Sequence, residues 1–195
     1  MSKENKIKKL KKSQNSSYRL AVMKEDSYQE KFALSLSKRN IFLITFSHSE
    51  DLKKLGTFKD WVAIMVSNEN GKVCFAQSKP VLQSPKKVER EARLFVSFRP
   101  NEKIVDEVST TSGYNYNNQN TVSAKSGKTN YKFDIKQEGF AWIADNKIER
   151  KIIKTMKKAS RIMVTGYNKE GSQTIDHYSL MGFTKAYGAA KKSCT

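Results

Sequence analysis

The residues best suited to chemistry in this 195-residue chain are its two cysteines, Cys74 and Cys194, and its two histidines, His48 and His177. The cysteines lie far apart, and neither belongs to a C-x-x-C pair. Structural zinc sites draw four Cys or His ligands from closely spaced pairs, so we expect no metal site. Two thiols either stay free in the reducing cytosol or pair in an oxidising compartment. The spacing of the two residues leaves both states open.

The run Asp176–Ser179 (Asp-His-Tyr-Ser) contains the side-chain types of a Ser-His-Asp triad. This run lies in a predicted strand, where successive side chains point to opposite faces. The carboxylate of Asp176 and the imidazole of His177 would therefore diverge. The chain also lacks the G-x-S-x-G sequence of a nucleophile elbow, and no Lys-Ser/Thr follows Gly166 or Gly171 as in a phosphate-binding loop. We predict no catalytic residue and no cofactor, so the protein is not expected to be an enzyme.

The formal net charge of +18 indicates an affinity for polyanions. Lysines crowd into the first dozen residues, and a second basic run spans residues 147–161. A positive field attracts nucleic acid, anionic lipid and sulfated glycan alike. Lysine greatly outnumbers arginine, which argues against bidentate readout of phosphates or bases. The alternatives are a polyanionic partner and lysine faces that are simply solvated.

Short segments that alternate apolar and polar residues dominate the chain after Leu55, which is typical of β-strands. Phe58–Val66 and Lys72–Ser78 predict a hairpin around the turn Ser67–Gly71. No apolar run approaches the roughly 18 to 20 residues that span a bilayer. We predict a mainly β fold, with a β-sandwich-like domain over residues 55–194 and one or two short helices. Further strands are predicted at Ala92–Arg99, Ile104–Thr110, Asn130–Ile135, Arg161–Tyr167 and Ser172–Leu180.

Two helices are predicted near the end of the chain. The first begins after an N-cap at Asp145 or Asn146 and has lysines on one face. The second is predicted over Phe183–Lys192. The apolar stripe of the first helix consists of Ile148, Ile152, Ile153 and Met156.

Four residues are predicted to build the core. Trp61 and Trp142 could stack on a ligand, but a tryptophan in a short apolar strand more often packs in the interior. Gly182 would permit a corner between strand and helix, and Phe183 would insert between the sheets.

Residues 1–50 differ from the rest, and we predict a basic, poorly ordered segment. Lys38-Arg39 precedes the apolar run Ile41–Phe46, and Ser47-His48-Ser49 follows it. Basic residues, an apolar stretch and small residues are the ordered parts of an export signal peptide. The alternative is a buried strand or helix with a basic tail, because the apolar run is short and acidic residues precede it. A true start at Met23 would partly account for the length of the segment.

The chain resembles the invasion-associated locus B family of bacterial proteins. Ser179–Tyr187 reads S-L-M-G-F-T-K-A-Y, close to the S-L-x-G-F-T-x-A-Y ending of that family. The resemblance covers about Leu55 to Cys194 in order and without large gaps. Its other parts are Phe58–Trp61, Val73–Ala76, Lys79-Pro80, Phe98–Pro100, Glu107–Ser109, Ala141-Trp142, Met156–Gly166 and Gly171–Tyr178.

The resemblance implies a β-sandwich-like exported protein without an established enzymatic activity. Cys74 and Cys194 match the cysteine positions of the family, which implies a structural disulfide. That bond would close a loop of about 120 residues and contribute at most roughly 4 to 5 kcal/mol. The family typically begins with a clean signal peptide, whereas this chain begins with a long basic segment.

Three functions follow from these observations. The first is an exported, non-enzymatic envelope protein, periplasmic or secreted, which acts on an unknown protein or a polyanionic surface partner in stress or host association. This function predicts processing near Ser47–Glu50. The alternative is a cytosolic, basic nucleic-acid-binding protein, although no specific nucleic-acid motif is present. The third is a small hydrolase whose titratable groups converge in one pocket.

Overall fold

The computed structural model describes residues 51–68, 71–86 and 90–195. The predictions made for residues 1–50, a poorly ordered segment and an export signal, lie outside the described residues. The strands are β1 (Asp51–Phe58), β2 (Trp61–Asn68), β3 (Gly71–Ser78), β4 (Leu82–Ser84), β5 (Ala92–Arg99), β6 (Ile104–Ser112), β7 (Val122–Ser126), β8 (Thr129–Phe133), β9 (Ile135–Gln137), β10 (Phe140–Trp142), β11 (Arg161–Tyr167) and β12 (Gln173–Ser179). The α-helices are α1 (Asn146–Met156) and α2 (Phe183–Ser193).

The strands form two antiparallel sheets, which confirms the predicted mainly β fold. The seven-stranded sheet has the order β1-β2-β3-β5-β6-β10-β9, and the five-stranded sheet has the order β4-β12-β11-β7-β8. One apolar core joins the facing surfaces, with Leu94 and Val96 from one sheet and Ile162 and Val164 from the other. The period of two along each strand places these residues on the inner faces.

The predicted hairpin exists, but its first arm is wrong in its bounds. β1 ends at Phe58, and the first arm of the hairpin is the separate strand β2, which begins at Trp61. Lys59 lies between them at φ 55°, a left-handed conformation that interrupts an extended strand. The sequence therefore contains two strands where Phe58–Val66 predicted one. The pairing of β2 with β3, with Met65 opposite Cys74, is as expected.

Both predicted helices are present and pack against the core. The carboxylate of Asp145 accepts a hydrogen bond from the backbone N–H of Lys147 at 2.7 Å, so it caps α1 as predicted. Ile152, Ile153 and Met156 are buried, which confirms that this stripe faces inward. Within the described ranges, neither helix is long and apolar enough to cross a membrane.

A second, separate apolar group lies on the other face of the seven-stranded sheet. We call it the outer cluster, and it comprises Ile64, Val66, Phe75 and Phe95. Each of these residues is flanked along its strand by residues of the inner face, such as Cys74 and Ala76 beside Phe75. All eight residues of β5 are buried, so this strand is covered on both faces.

Gly182 permits the corner between β12 and α2. Its φ of 93° is a left-handed conformation, and a Cβ atom built there would overlap the carbonyl oxygen of Phe58. Only a residue without a side chain allows the start of α2 to lie directly against the end of β1. The corner places Phe183 in the core, fully buried.

Replacing Gly182 by alanine is expected to destabilise the domain by more than about 2 kcal/mol. A left-handed residue with a Cβ costs roughly 1–2 kcal/mol, and displacing the Phe58 carbonyl adds to that cost. Gly171→Ala is the matched control, because Gly171 has φ 84° and no atom within 4 Å of its added Cβ. Guanidinium denaturation measures both variants. Equal losses of unfolding free energy would show that the Phe58 contact contributes nothing.

Candidate functional site

A disulfide joins Cys74 of β3 to Cys194, which directly follows α2. The two Cα atoms are 5.8 Å apart, and the bond links residues 120 positions apart in sequence. Both cysteines belong to the inner core. The pairing that the family resemblance implied is therefore confirmed. The last helix is covalently held on the inner face of the seven-stranded sheet.

Trp61 and Phe183 pack against each other at the start of α2, the end of this helix opposite to the disulfide. Their ring centroids are 4.8 Å apart in an edge-to-face arrangement, a favoured geometry for aromatic pairs. The indole N–H of Trp61 donates a hydrogen bond to the backbone carbonyl of Ser179 at 2.9 Å. The ring of Trp61 is fully buried. Its position serves the packing of α2, and no ligand can reach its faces.

Trp142 is also buried, but in another place. It packs with Ile135 and Ala144 in a small cluster, and Phe140 stacks beside it at 5.7 Å between centroids. Its indole nitrogen has no hydrogen-bond partner among the described residues. The two tryptophans therefore do not form a shared site. Trp142 lies outside the inner core that contains Trp61.

The run Asp176–Ser179 has the alternation that excludes a triad. Asp176 and Tyr178 point inward and are fully buried, whereas His177 and Ser179 are on the partly exposed face. The imidazole and the carboxylate therefore diverge. The described residues also contain no group of three His, Cys, Asp or Glu side chains that could hold a metal ion.

Asp176 is fully buried and forms an ion pair with Arg90. Arg90 donates to both of its carboxylate oxygens, at 2.7 and 3.1 Å, and Gln83 donates a third bond at 3.2 Å. The guanidinium of Arg90 also donates to the carbonyl of Ser112 at 3.0 Å. A bidentate arginine satisfies a buried carboxylate with fixed geometry. This contact ties the connection after β4 to both sheets.

Tyrosines surround this ion pair. The hydroxyl groups of Tyr114 and Thr174 are 2.5 Å apart, and Tyr116 donates to Ser112 at 3.0 Å. Burial raises the pKa of Tyr114 above its ordinary value. Burial and then the negative charge of Asp176 raise the pKa of Tyr178. These phenols stay protonated at neutral pH, so they act as hydrogen-bonding groups of the interior.

An open groove of 280 Å³ lies beside the turn between β1 and β2. Lys59 and Lys79 line it together with apolar Val62, Pro80 and Val81. The hydroxyl of Ser78 donates to the backbone carbonyl of Asp60 at 2.6 Å. A serine that donates to a carbonyl, rather than to a base, is not activated as a nucleophile.

Residues 61–191 match the family model described as Invasion associated locus B (IalB) protein. The chain belongs to this family. The match begins at Trp61 and includes Cys74, Trp142, Gly182 and Phe183, while Cys194 lies just beyond its end. No curated protein and no solved structure matches the chain. Within this domain Trp61 packs against Phe183 at the start of α2, and the disulfide joins the end of α2 to β3.

The IalB domain carries a row of exposed cations along α1 and just beyond its end, which we call the α1 cationic face. Its members recur every three or four positions, so they occupy one side of the helix over about 16 Å. The single acidic residue of α1, Glu149, is buried and accepts a hydrogen bond from the backbone of Val108 at 2.9 Å. Among the described residues no carboxylate forms an ion pair with this face. Its members are Lys147, Arg150, Lys151, Lys154 and Lys158.

The positive surface of the IalB domain continues from α1 to α2. The ammonium groups of Lys157 and Lys191 lie 4.0 and 5.8 Å from the ring centroid of Tyr187. The hydroxyl of Tyr187 donates to Asp106 at 2.5 Å. Burial, followed by this hydrogen bond to the carboxylate, raises the pKa of Tyr187. Tyr187 therefore contacts both Lys157, which directly follows α1, and Lys191 of α2.

The sequence analysis missed the pair of Arg90 and Asp176. The two residues are 86 positions apart, and Arg90 follows an irregular connection whose pattern predicts no contact. A signal was present in β12, where Asp176 occupies an inward position of an alternating strand. A carboxylate on a buried face requires a cationic or hydrogen-bonding partner.

We expect Cys194→Ser to lower the free energy of unfolding by at most about 4 to 5 kcal/mol. The bond closes a 120-residue loop, so its loss frees the unfolded chain. Guanidinium denaturation followed by tryptophan fluorescence measures the change. The double variant Cys74→Ser/Cys194→Ser and the reduced native protein serve as controls and should agree with the single variant. If the native protein has the same guanidinium midpoint with and without reductant, the prediction is contradicted.

Proposed function

We propose that the chain is an exported, non-enzymatic IalB protein of the bacterial cell envelope, which acts by binding a polyanionic surface through the α1 cationic face. The disulfide between Cys74 and Cys194 is the observation that carries the export part. Structural disulfides persist in oxidising compartments and are rare in the cytosol. The resemblance to exported family members supports the same location, periplasmic or secreted.

The interior chemistry supports a role without catalysis. The carboxylate of Asp176 is neutralised by Arg90, and His177 lies on the other face of the strand. The groove hydroxyl of Ser78 is engaged by a backbone carbonyl. These groups serve packing and hydrogen bonding, and they leave the exterior of the domain as the part that meets other molecules.

The α1 cationic face supports a polyanionic partner. Its side chains project from a helix whose opposite side is fixed in the core by Ile152, Ile153 and Met156. A rigid row of positive charges raises the local concentration of any polymer that carries phosphate or sulfate groups. Lysine is a strongly hydrated point charge, which suits a repeating anionic surface better than a single bidentate contact.

Export predicts a defined fractionation result. In cells lysed in the presence of a thiol-blocking reagent, the protein is expected in the envelope or secreted fraction. Both cysteines should resist the reagent until a reductant is added, because they are joined. Mass spectrometry of the intact protein gives the number of blocked thiols, because each one adds the mass of one reagent molecule. Recovery from the cytosol with two blocked thiols would contradict export and favour the nucleic-acid-binding alternative.

Binding of a polyanion by the α1 cationic face predicts that affinity for heparin depends on where the lysines lie as well as on the net charge of the protein. The variant with Lys147, Lys151, Lys154 and Lys158 replaced by glutamine should elute from immobilised heparin at clearly lower salt than the native protein, because these contacts exchange counterions. The control replaces four exposed lysines of other regions by glutamine, with the same change in net charge. Equal shifts for both variants would show that heparin senses net charge alone. The control lysines are Lys125, Lys128, Lys132 and Lys169.

A further inference from the structure

Three exposed aliphatic side chains lie together at one end of the domain, and we call this group the apolar tip. In the part of the chain that the structure describes, four large apolar side chains are exposed. Three of them form the tip: Val81 at 62%, Met181 at 47% and Leu82 at 44%. The fourth is Val105 at 53%. A single exposed aliphatic residue is ordinary, whereas a group of them marks a surface that meets another molecule.

Backbone contacts bring the three residues of the apolar tip together, although they come from distant parts of the sequence. The amide of Val81 donates a hydrogen bond to the carbonyl of His177 at 2.7 Å, and Leu82 pairs with His177 in the ladder of β4 and β12. β12 ends at Ser179, two residues before Met181. The tip therefore lies where the chain enters β4 and leaves β12.

Lysines line the groove on one side of the apolar tip. Lys59 and Lys79 are exposed, and they share the lining of the groove with Val81. The amide of Asp60 donates to the carbonyl of Met181 at 3.3 Å, which joins the groove to the tip. Asp60 is the one acidic residue that lines the groove, so the lysines there outnumber it two to one.

The α1 cationic face ends on the other side of the apolar tip, because β12 separates β4 from β11 in the sheet. The amide of Leu180, the neighbour of Met181, donates to the carbonyl of Ser160 at 2.9 Å. Lys158 and Arg161 flank Ser160 in the sequence, and both are exposed. The tip thus has aliphatic side chains in its middle and positive charges on both sides.

We propose that the apolar tip inserts into the surface of an anionic lipid bilayer, with the flanking cations among the lipid headgroups. This inference rests on the proposed function for its polyanionic surface, and it names that surface. Aliphatic side chains gain free energy when they leave water for the boundary of headgroups and acyl chains. Lysines and arginines beside them bind acidic headgroups while their charges stay hydrated.

The composition of the apolar tip favours lipid over a protein partner. Protein interfaces are anchored mostly by Trp, Tyr and Arg in desolvated pockets, and Leu and Val are under-represented among such anchors. The tip consists of Val81, Leu82 and Met181, which are exposed at the ends of strands instead of lining a closed pocket. A lipid surface adapts to a projecting apolar group and requires no pocket.

Sedimentation with lipid vesicles tests the proposal on the full-length native protein. Vesicles of phosphatidylcholine with about one-third phosphatidylglycerol should bind the protein at least about tenfold more tightly than vesicles of phosphatidylcholine alone. Val81→Ser is expected to weaken binding to the anionic vesicles about three- to tenfold, because the hydroxymethyl group gains little from burial in lipid. Equal binding of the native protein to both kinds of vesicle would overturn the role of the cations.

Val105→Ser is the matched control, because Val105 lies at the other end of the strands. Ser78, which lines the groove, pairs with Leu94 of β5. Ile104, the neighbour of Val105, pairs with Arg99, five residues further along β5 or about 17 Å. The control should bind anionic vesicles like the native protein. Equal losses for the two variants, or no binding of the native protein, would overturn the proposal and favour a protein partner.

A tryptophan placed at the apolar tip reports insertion directly. The fluorescence of Leu82→Trp is expected to be quenched by anionic vesicles whose acyl chains carry bromine, since the added indole would contact those chains. Val105→Trp should show only the quenching of the native protein. Equal quenching of the two variants would overturn insertion of the tip.

Elution from heparin separates this inference from the proposed function. Val81→Ser leaves the α1 cationic face intact and should elute from heparin at the same salt as the native protein. If Val81→Ser binds vesicles like Val105→Ser while the α1 glutamine variant still elutes early from heparin, the apolar tip alone is overturned. If heparin senses net charge alone while Val81→Ser selectively loses vesicle binding, the tip is supported and the α1 part of the proposed function is overturned.

Discussion

The bond between Cys74 and Cys194 is the constraint on which the rest of the domain depends. It fixes the last helix on the inner face of the seven-stranded sheet, where Phe183 packs against Trp61. Gly182 makes that position sterically available by letting the chain pass close to Phe58. The end of the chain and its first hairpin therefore stabilise each other, and the core of the sandwich closes between them.

Buried charge is the second organising element of the structure. Arg90 pairs with Asp176, and Arg99 pairs with Glu107 at 2.9 Å with both side chains buried. Desolvation offsets much of the attraction in such pairs, so their contribution to stability is modest. Removal of one partner, however, leaves an uncompensated charge in the interior. The pairs consequently disfavour any packing that separates them.

The sequence predicted those elements that a local, periodic pattern of apolar residues defines. Alternation defined β11 and β12, and the stripe from Ile152 to Met156 defined α1. It did not predict β1, because Asp51–Phe58 is a partly exposed edge strand whose lysines and glycine weaken the apolar alternation. The contact of Arg90 with Asp176 was missed for another reason: it depends on a tertiary arrangement that no local pattern encodes. The disulfide came from the family resemblance, since spacing alone left the cysteines open.

The strands at the sheet margins have a consequence for behaviour at high concentration. Exposed margins invite pairing with other molecules through their free backbone groups, which leads to aggregation. Here β4 and β9 have only three residues each, and β1 carries the exposed lysines Lys53 and Lys54. Short edge strands offer few backbone groups for hydrogen bonds with a neighbouring copy. Lysines on an edge strand repel the same lysines of that copy. These three edge strands therefore disfavour pairing with a neighbouring copy of the domain.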